Sequence, residues 1–149
     1  MNHKGFLFIE EAITGAVKKL LDWRVNEILA NWEFFIPVVE FGHIQSKYAT
    51  SPVVSLISCE KTDKERIIRQ DAYSLTISFP LQEHPDGELY CYGYAAAFNK
   101  ALGEDVTLGG IVDRAVLTEK KYVPPKKPHN GEGWELVIKL RITLEEMAV

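Results

Sequence analysis

Trp134-Glu135-Leu136-Val137-Ile138-Lys139-Leu140-Arg141-Ile142-Thr143-Leu144 decides the fold class. Trp134, Leu136, Ile138, Leu140, Ile142 and Leu144 alternate with Glu135, Val137, Lys139, Arg141 and Thr143. Successive side chains of a strand point to opposite faces, so a two-residue period gives one apolar face and one mainly polar face. The stretch is a strand of a sheet that is covered on one side.

Working back from it, Pro124 to Gly133 (PPKKPHNGEG) carries prolines, glycines and an Asn-Gly pair, so residues 124–133 read as an exposed hairpin loop. Before that loop, residues 111–123 contain a strand through Ala115, Val116 and Leu117, entered from a turn at Thr107-Leu108-Gly109-Gly110. Residues 88–102 place Leu89, Tyr92, Ala96, Phe98 and Leu102 at helical spacing. Asp86 is the expected N-cap of that helix and Gly103 its C-terminal stop. Tyr73, Leu75, Ile77 and Phe79 alternate with Ser74, Thr76 and Ser78 as a second clear strand, which Pro80 is expected to close. Pro52 to Glu60 reads as a further strand, followed by a charged turn at Lys61 to Glu65.

In the N-terminal third, Ile9, Ala12, Ile13, Ala16, Val17, Leu20, Leu21, Val25, Ile28 and Leu29 recur at steps of three and four, which predicts one long helix over residues 9–31. Trp32 to Phe41 is aromatic and β-branched but broken by Pro37, so any strand it forms is expected to be an edge or bulged one. Together these elements predict an α+β fold in which a mainly antiparallel β-sheet packs against two helices. The 149 residues are expected to form a single domain: the N-terminal helix over 9–31, then the sheet plus the second helix over 52–144.

The composition, 46% hydrophobic and 26% charged, is that of an ordinary globular chain. A net charge of -4 gives no general attraction to phosphate backbones, which argues against specific nucleic-acid binding. The apolar start Phe6-Leu7-Phe8-Ile9 is cut short by Glu10 and Glu11, too soon for a secretory leader, and no uncharged run is long enough to cross a membrane. A cytoplasmic location is expected. Cys59 and Cys91 lack metal-ligand spacing and read as small buried hydrophobes.

Chemistry is sparsely provided for. His3, His43, His84 and His129 all fall in loops or the terminus, and none forms a ligand pair. Glu10-Glu11 and Glu145-Glu146 read as solvated carboxylates, and Gly109-Gly110 lacks the rest of a phosphate-binding loop. No catalytic residue, metal or cofactor is assigned. What stands out is a surplus of aromatic residues: Trp23, Trp32, Phe34, Phe35, Phe41 and Tyr48 early in the chain, then Tyr90, Tyr92 and Tyr94. Aromatics with polar tips are favoured at protein interfaces. The residues assigned to an oligomer or partner interface are accordingly Trp32, Phe35, Tyr90, Tyr94, Lys121, Tyr122, Lys126, Lys127, Lys139 and Arg141.

The order helix, strands, alternating strand, helix, Asp105-Val106-Thr107-Leu108-Gly109-Gly110-Ile111-Val112-Asp113, proline-rich loop and closing strand resembles the tail terminator, or tail-completion, proteins of long-tailed bacteriophages. The resemblance covers most of the chain from Pro52 onward. It is strongest in Arg69-Gln70-Asp71-Ala72-Tyr73-Ser74-Leu75-Thr76-Ile77-Ser78, the Thr107–Asp113 segment and the closing strand. It implies an α/β sandwich that assembles as a homo-oligomeric ring, typically a hexamer. Such a ring sits on the tail tube protein, stops tube growth and faces the head-completion or connector protein. The role would be structural and not enzymatic, first in the host cytoplasm and then in the virion tail. A head–tail connector or neck protein, and a small-ligand-binding domain, are the alternatives.

Overall fold

The apolar stripe over residues 9–31 does wind into a helix, but in three pieces. In the computed structural model of the chain, which describes residues 8–32, 36–41, 53–54, 56–65, 70–126 and 132–145, α1 spans Ile9–Leu20. It buries Ala12, Ile13, Val17 and Leu20, with Glu10 and Glu11 in its first turn and Lys18 and Lys19 in its last, the charge order that suits the helix dipole. The backbone then widens into a π-helical turn, Leu21–Val25, and tightens again as α2, Asn26–Ala30. The wider turn resets the phase of the stripe, so that Leu20, Leu21, Val25, Ile28 and Leu29 all reach the core while Trp23 faces solvent.

Of residues 32–41, in which any strand was expected to be an edge or bulged one, 33–35 lie outside the described residues. Residues 36–39 are extended but unpaired to any strand, and only β1, Glu40–Phe41, forms a short parallel pair with β2, Val53–Val54. Side chains hold the extended segment instead. The Asn26 amide donates to the Val39 carbonyl at 2.9 Å and accepts the Val39 N–H at 2.7 Å, as a neighbouring strand would. The Tyr94 hydroxyl donates to the Pro37 carbonyl at 2.5 Å.

The main sheet has four antiparallel strands in the order β3-β4-β6-β5, with β3 at Leu56–Glu65, β4 at Gln70–Gln82, β5 at Arg114–Val123 and β6 at Glu132–Glu145. The closing strand is thus central, paired on both sides. Leu75, Ile77 and Phe79 of β4 stand opposite Leu140, Ile138 and Leu136, and Leu117 of β5 stands opposite Leu140 from the other side. This face is buried beneath the N-terminal helices and α3, Gly87–Glu104, in one continuous core. The chain is an α+β fold, a sheet packed on helices. Among the described residues no helix is long and apolar enough to cross a membrane.

Several expected boundaries move. The charged stretch Lys61 to Glu65 is not a turn but the second half of β3, irregular between Lys61 and Lys64. Edge strands tolerate charge because one side meets water. Pro80 does not close β4, which runs on to Gln82. The pairing with β3 ends at Ser78, so Pro80 needs a ladder partner only on the β6 side, opposite Glu135. Asp86 holds the N-cap position of α3 without a side-chain cap, and its own N–H donates to His84 Nδ1 at 3.0 Å. Gly103 does not stop α3, which continues to Glu104. Residues 132 and 133, expected in the hairpin loop, already belong to β6, whereas 127–131 lie outside the described residues.

Two glycines in these corrected regions should respond to alanine with opposite sign. A methyl group on Gly133 would run into the backbone carbonyl of Gln82 on the neighbouring strand, whereas one on Gly103 meets no atom within 4 Å. In chemical denaturation Gly133→Ala is expected to lower stability by about 1–3 kcal/mol. Gly103→Ala is expected to raise it by about 0.5–1 kcal/mol, through helix propensity and a less flexible unfolded chain.

Candidate interaction surfaces

The ten residues assigned to an interface from sequence divide between the core, two surfaces and the undescribed parts of the chain. Tyr94 is a correction. Its ring is fully buried, stacked on Phe79 with centroids 6.0 Å apart, and its hydroxyl is committed to Pro37. Burial pushes the Tyr94 hydroxyl pKa well up, and the group stays neutral. It completes the core and is not offered to a partner. Trp32 is half-buried against the same core, beside Gly93. Tyr90 is half-buried with its ring 4.9 Å from His84. Phe35 and Lys127 lie outside the described residues.

The open face of the sheet gathers Lys121, Lys139 and Arg141. Ser74 and Thr76 stand opposite Arg141 and Lys139 on the β4 side, and on the β5 side Glu119 lies opposite Lys139, with Nζ to Oε2 at 3.5 Å. A bulge sets this arrangement. The register of β5 slips between Leu117 and Glu119, with the Thr118 hydroxyl donating to the Lys139 carbonyl at 3.2 Å. Before the slip Ala115 and Leu117 point to the core; after it Lys120 and Tyr122 take the helix side and Glu119 and Lys121 the open side. Tyr122 therefore meets Tyr92 of α3 edge-on at 4.9 Å and 80°. The tyrosines and the basic residues, taken as one interface from sequence, lie on opposite sides of the sheet. Lys126 is exposed just beyond the end of β5.

The second surface was not assigned from sequence. A groove of about 430 Å³ runs between the N-terminal helical run and the turn after α3, with Gly15, Ala16, Leu20 and Trp23 on one wall and Leu108, Gly109 and Ile111 on the other. The turn is built from its own backbone. Thr107 O accepts the N–H groups of Gly110, Ile111 and Val112, and the Asp105 carboxylate accepts the Gly109 N–H at 3.0 Å. Leu108, Gly109 and Gly110 all have positive φ, 50°, 71° and 86°. Glycine takes this conformation freely; Leu108 is held in it by burial of its side chain, worth roughly 1.5–3 kcal/mol.

Trp23 stands on the groove rim 70% exposed, with Lys19 Nζ 5.5 Å from its ring centroid in a cation–π contact. The π-helical turn that aims it outward is clamped to the end of α3. Arg24 donates to both Glu104 oxygens, at 2.6 and 2.9 Å, and to Glu27. These hydrogen bonds raise the Arg24 pKa and hold the Glu104 carboxyl below its ordinary range. The sequence signal for the site was present: Trp23 is a large aromatic off the stripe through Leu21 and Val25.

The groove has an apolar floor with Lys19 on one wall and Asp105 on the other. Among the described residues no three His, Cys, Asp or Glu side chains come together as a metal site. Burial pushes the Cys91 thiol up to about 12, leaving it protonated and unreactive. The Cys59 side chain is outside the described residues.

The Arg24–Glu104 clamp has a pH signature. Because the folded-state pKa of Glu104 is depressed, its contribution is complete above the ordinary value of 4.5 and disappears as pH falls through the lowered one. Denaturation curves recorded on the acid side of pH 4.5 should show the wild type losing stability more steeply than Glu104→Gln, and parallel slopes would refute the clamp.

Compared with known proteins, the chain matches no family model, and a search of curated proteins returns no significant match.

Proposed function

We propose that the chain is a structural virion-assembly protein, a tail terminator of a long-tailed phage or prophage. It closes as a homo-oligomeric ring on the end of the tail tube and presents a surface to the head-side connector. The observation that carries this reading is the layered arrangement itself. Helices cover one face of an antiparallel sheet, and the Thr107–Asp113 turn feeds β5 and the central β6 in the element order on which the resemblance rests.

A ring subunit needs two unlike surfaces that meet head-to-tail and close by rotation. Two are available: the groove beside Trp23 in the helix layer, and the charged open face of the sheet. A monomer covers neither, and an assembly role gives each an occupant.

The assay is tube capping. Added to polymerising tail tube protein, the purified chain should arrest growth and appear in electron micrographs as a ring at one tube end. Tubes that lengthen unchecked with no terminal ring would sink the proposal. A double variant, Lys139→Glu with Arg141→Glu, probes the open face. Both side chains are exposed, but Lys139→Glu sets a second carboxylate opposite Glu119, so a loss of about 1 kcal/mol is expected and circular dichroism checks the fold. Lost capping by a folded double variant assigns this face to the ring or tube; unchanged capping assigns it to solvent.

A further inference from the structure

We infer that the groove beside Trp23 is the socket of a head-to-tail contact, and that it receives the Leu89–Tyr92 end of α3 from a second copy of this chain. The inference rests on the ring reading above only for how successive contacts close.

Both halves of the contact are exposed apolar surface. On the socket side Trp23 is 70% exposed above an apolar floor; on the plug side Leu89 is 52% and Tyr92 45% exposed. Leu89 and Tyr92 are three residues apart on one helix and therefore neighbours on its surface. The plug is also preorganised. Tyr92 is held edge-on by Tyr122 and donates its hydroxyl to Glu88, so few rotamers are lost when it docks. The groove, at about 430 Å³, has room for side chains of this size.

Charge suits the pairing. The socket carries the Lys19 ammonium on one wall and the Asp105 carboxylate on the other. The plug carries the Glu88 carboxylate beside Tyr92 and the Lys120 ammonium on the same side of β5 as Tyr122. Each sign on one surface finds its opposite on the other, an arrangement that steers association.

Position fixes the symmetry. The plug lies in the first turns of α3, and the socket wall begins at Asp105, past its last residue. Along α3 the plug and Asp105 are separated by roughly 20–24 Å, so they cannot meet within one molecule. A contact between unlike surfaces leaves every copy with one of each still unused. Such an interface is heterologous and propagates until a rotation closes it.

The experiment uses the full chain and two variants at exposed positions, Trp23→Ala and Leu89→Asp, each checked by circular dichroism for the wild-type fold. In analytical ultracentrifugation each variant is expected to self-associate roughly 30-fold or more weakly than wild type. Mixed, the Leu89→Asp copy supplies an intact socket and the Trp23→Ala copy an intact plug. The mixture should therefore form a heterodimer and stop there. Lys19→Glu and Glu88→Lys should each weaken assembly and restore it when combined in one chain. A wild type that stays monomeric at its solubility limit, variants that assemble as wild type does, or a mixture that remains monomeric would each overturn the inference. Tube capping separates this outcome from the fate of the terminator reading. Capping retained by both variants keeps that reading and rejects the socket; oligomers that depend on Trp23 and Leu89 in a chain that cannot cap do the reverse.

Discussion

The structure depends on β6 having a partner on each side. A strand paired once could slip by two residues and still bury the same face; β6 is read simultaneously by β4 and β5, and a slip must satisfy both ladders. Leu136, Ile138, Leu140, Ile142 and Leu144 are buried as a row beneath the helices, flanked by Leu75, Ile77 and Phe79 of β4. Each such side chain contributes roughly 1.5–3 kcal/mol on burial, so this strand organises the core as well as the sheet.

That dependence explains what was legible from sequence. The alternation in β4 and β6 and the stripe of α1 are periodic signals imposed by burial on one side, and they yielded the α+β fold directly. The misplaced boundaries share a different cause. Pro80, Gly103 and the charges of Lys61 to Glu65 were read by local rules, and each was overridden by its position in the sheet or helix layer. Pro80 lies beyond the reach of β3, Lys61 to Glu65 belong to an edge strand, and the left-handed residues after α3 are Leu108, Gly109 and Gly110 instead of Gly103. Local chemistry says what a residue tolerates; the number of neighbours decides what is demanded of it.

The surfaces were less legible than the core, because they depend on irregularities that carry no period. The bulge in β5 exchanges the faces of everything after Thr118, which puts Tyr122 on the helix side and Lys121 on the open side, and no pattern in the lysine-rich sequence marks where the exchange occurs. Tyr94 was counted among interface aromatics because it falls close to Tyr90 and Tyr92 on the second helix, four residues from Tyr90. That spacing puts the two on neighbouring surface of α3, but only Tyr94 falls beneath the segment that Asn26 and Pro37 bring across.

The π-helical turn at Leu21–Val25 has a further consequence, for how the N-terminal helix can vary. An α-helix with the same residues would carry its apolar stripe around by a different angle, so the wide turn absorbs one extra residue while α1 and α2 keep a common buried face. Asp22 and Trp23 face water and could be many things without disturbing the core. Deleting one of them would leave four residues that an ordinary α-helical turn carries through nearly the same angle, so Ile28 and Leu29 would keep their place on the core. At its exposed positions the segment can lose or exchange a residue without cost to the fold, while Leu21, Val25 and Arg24 are fixed by the core and by Glu104.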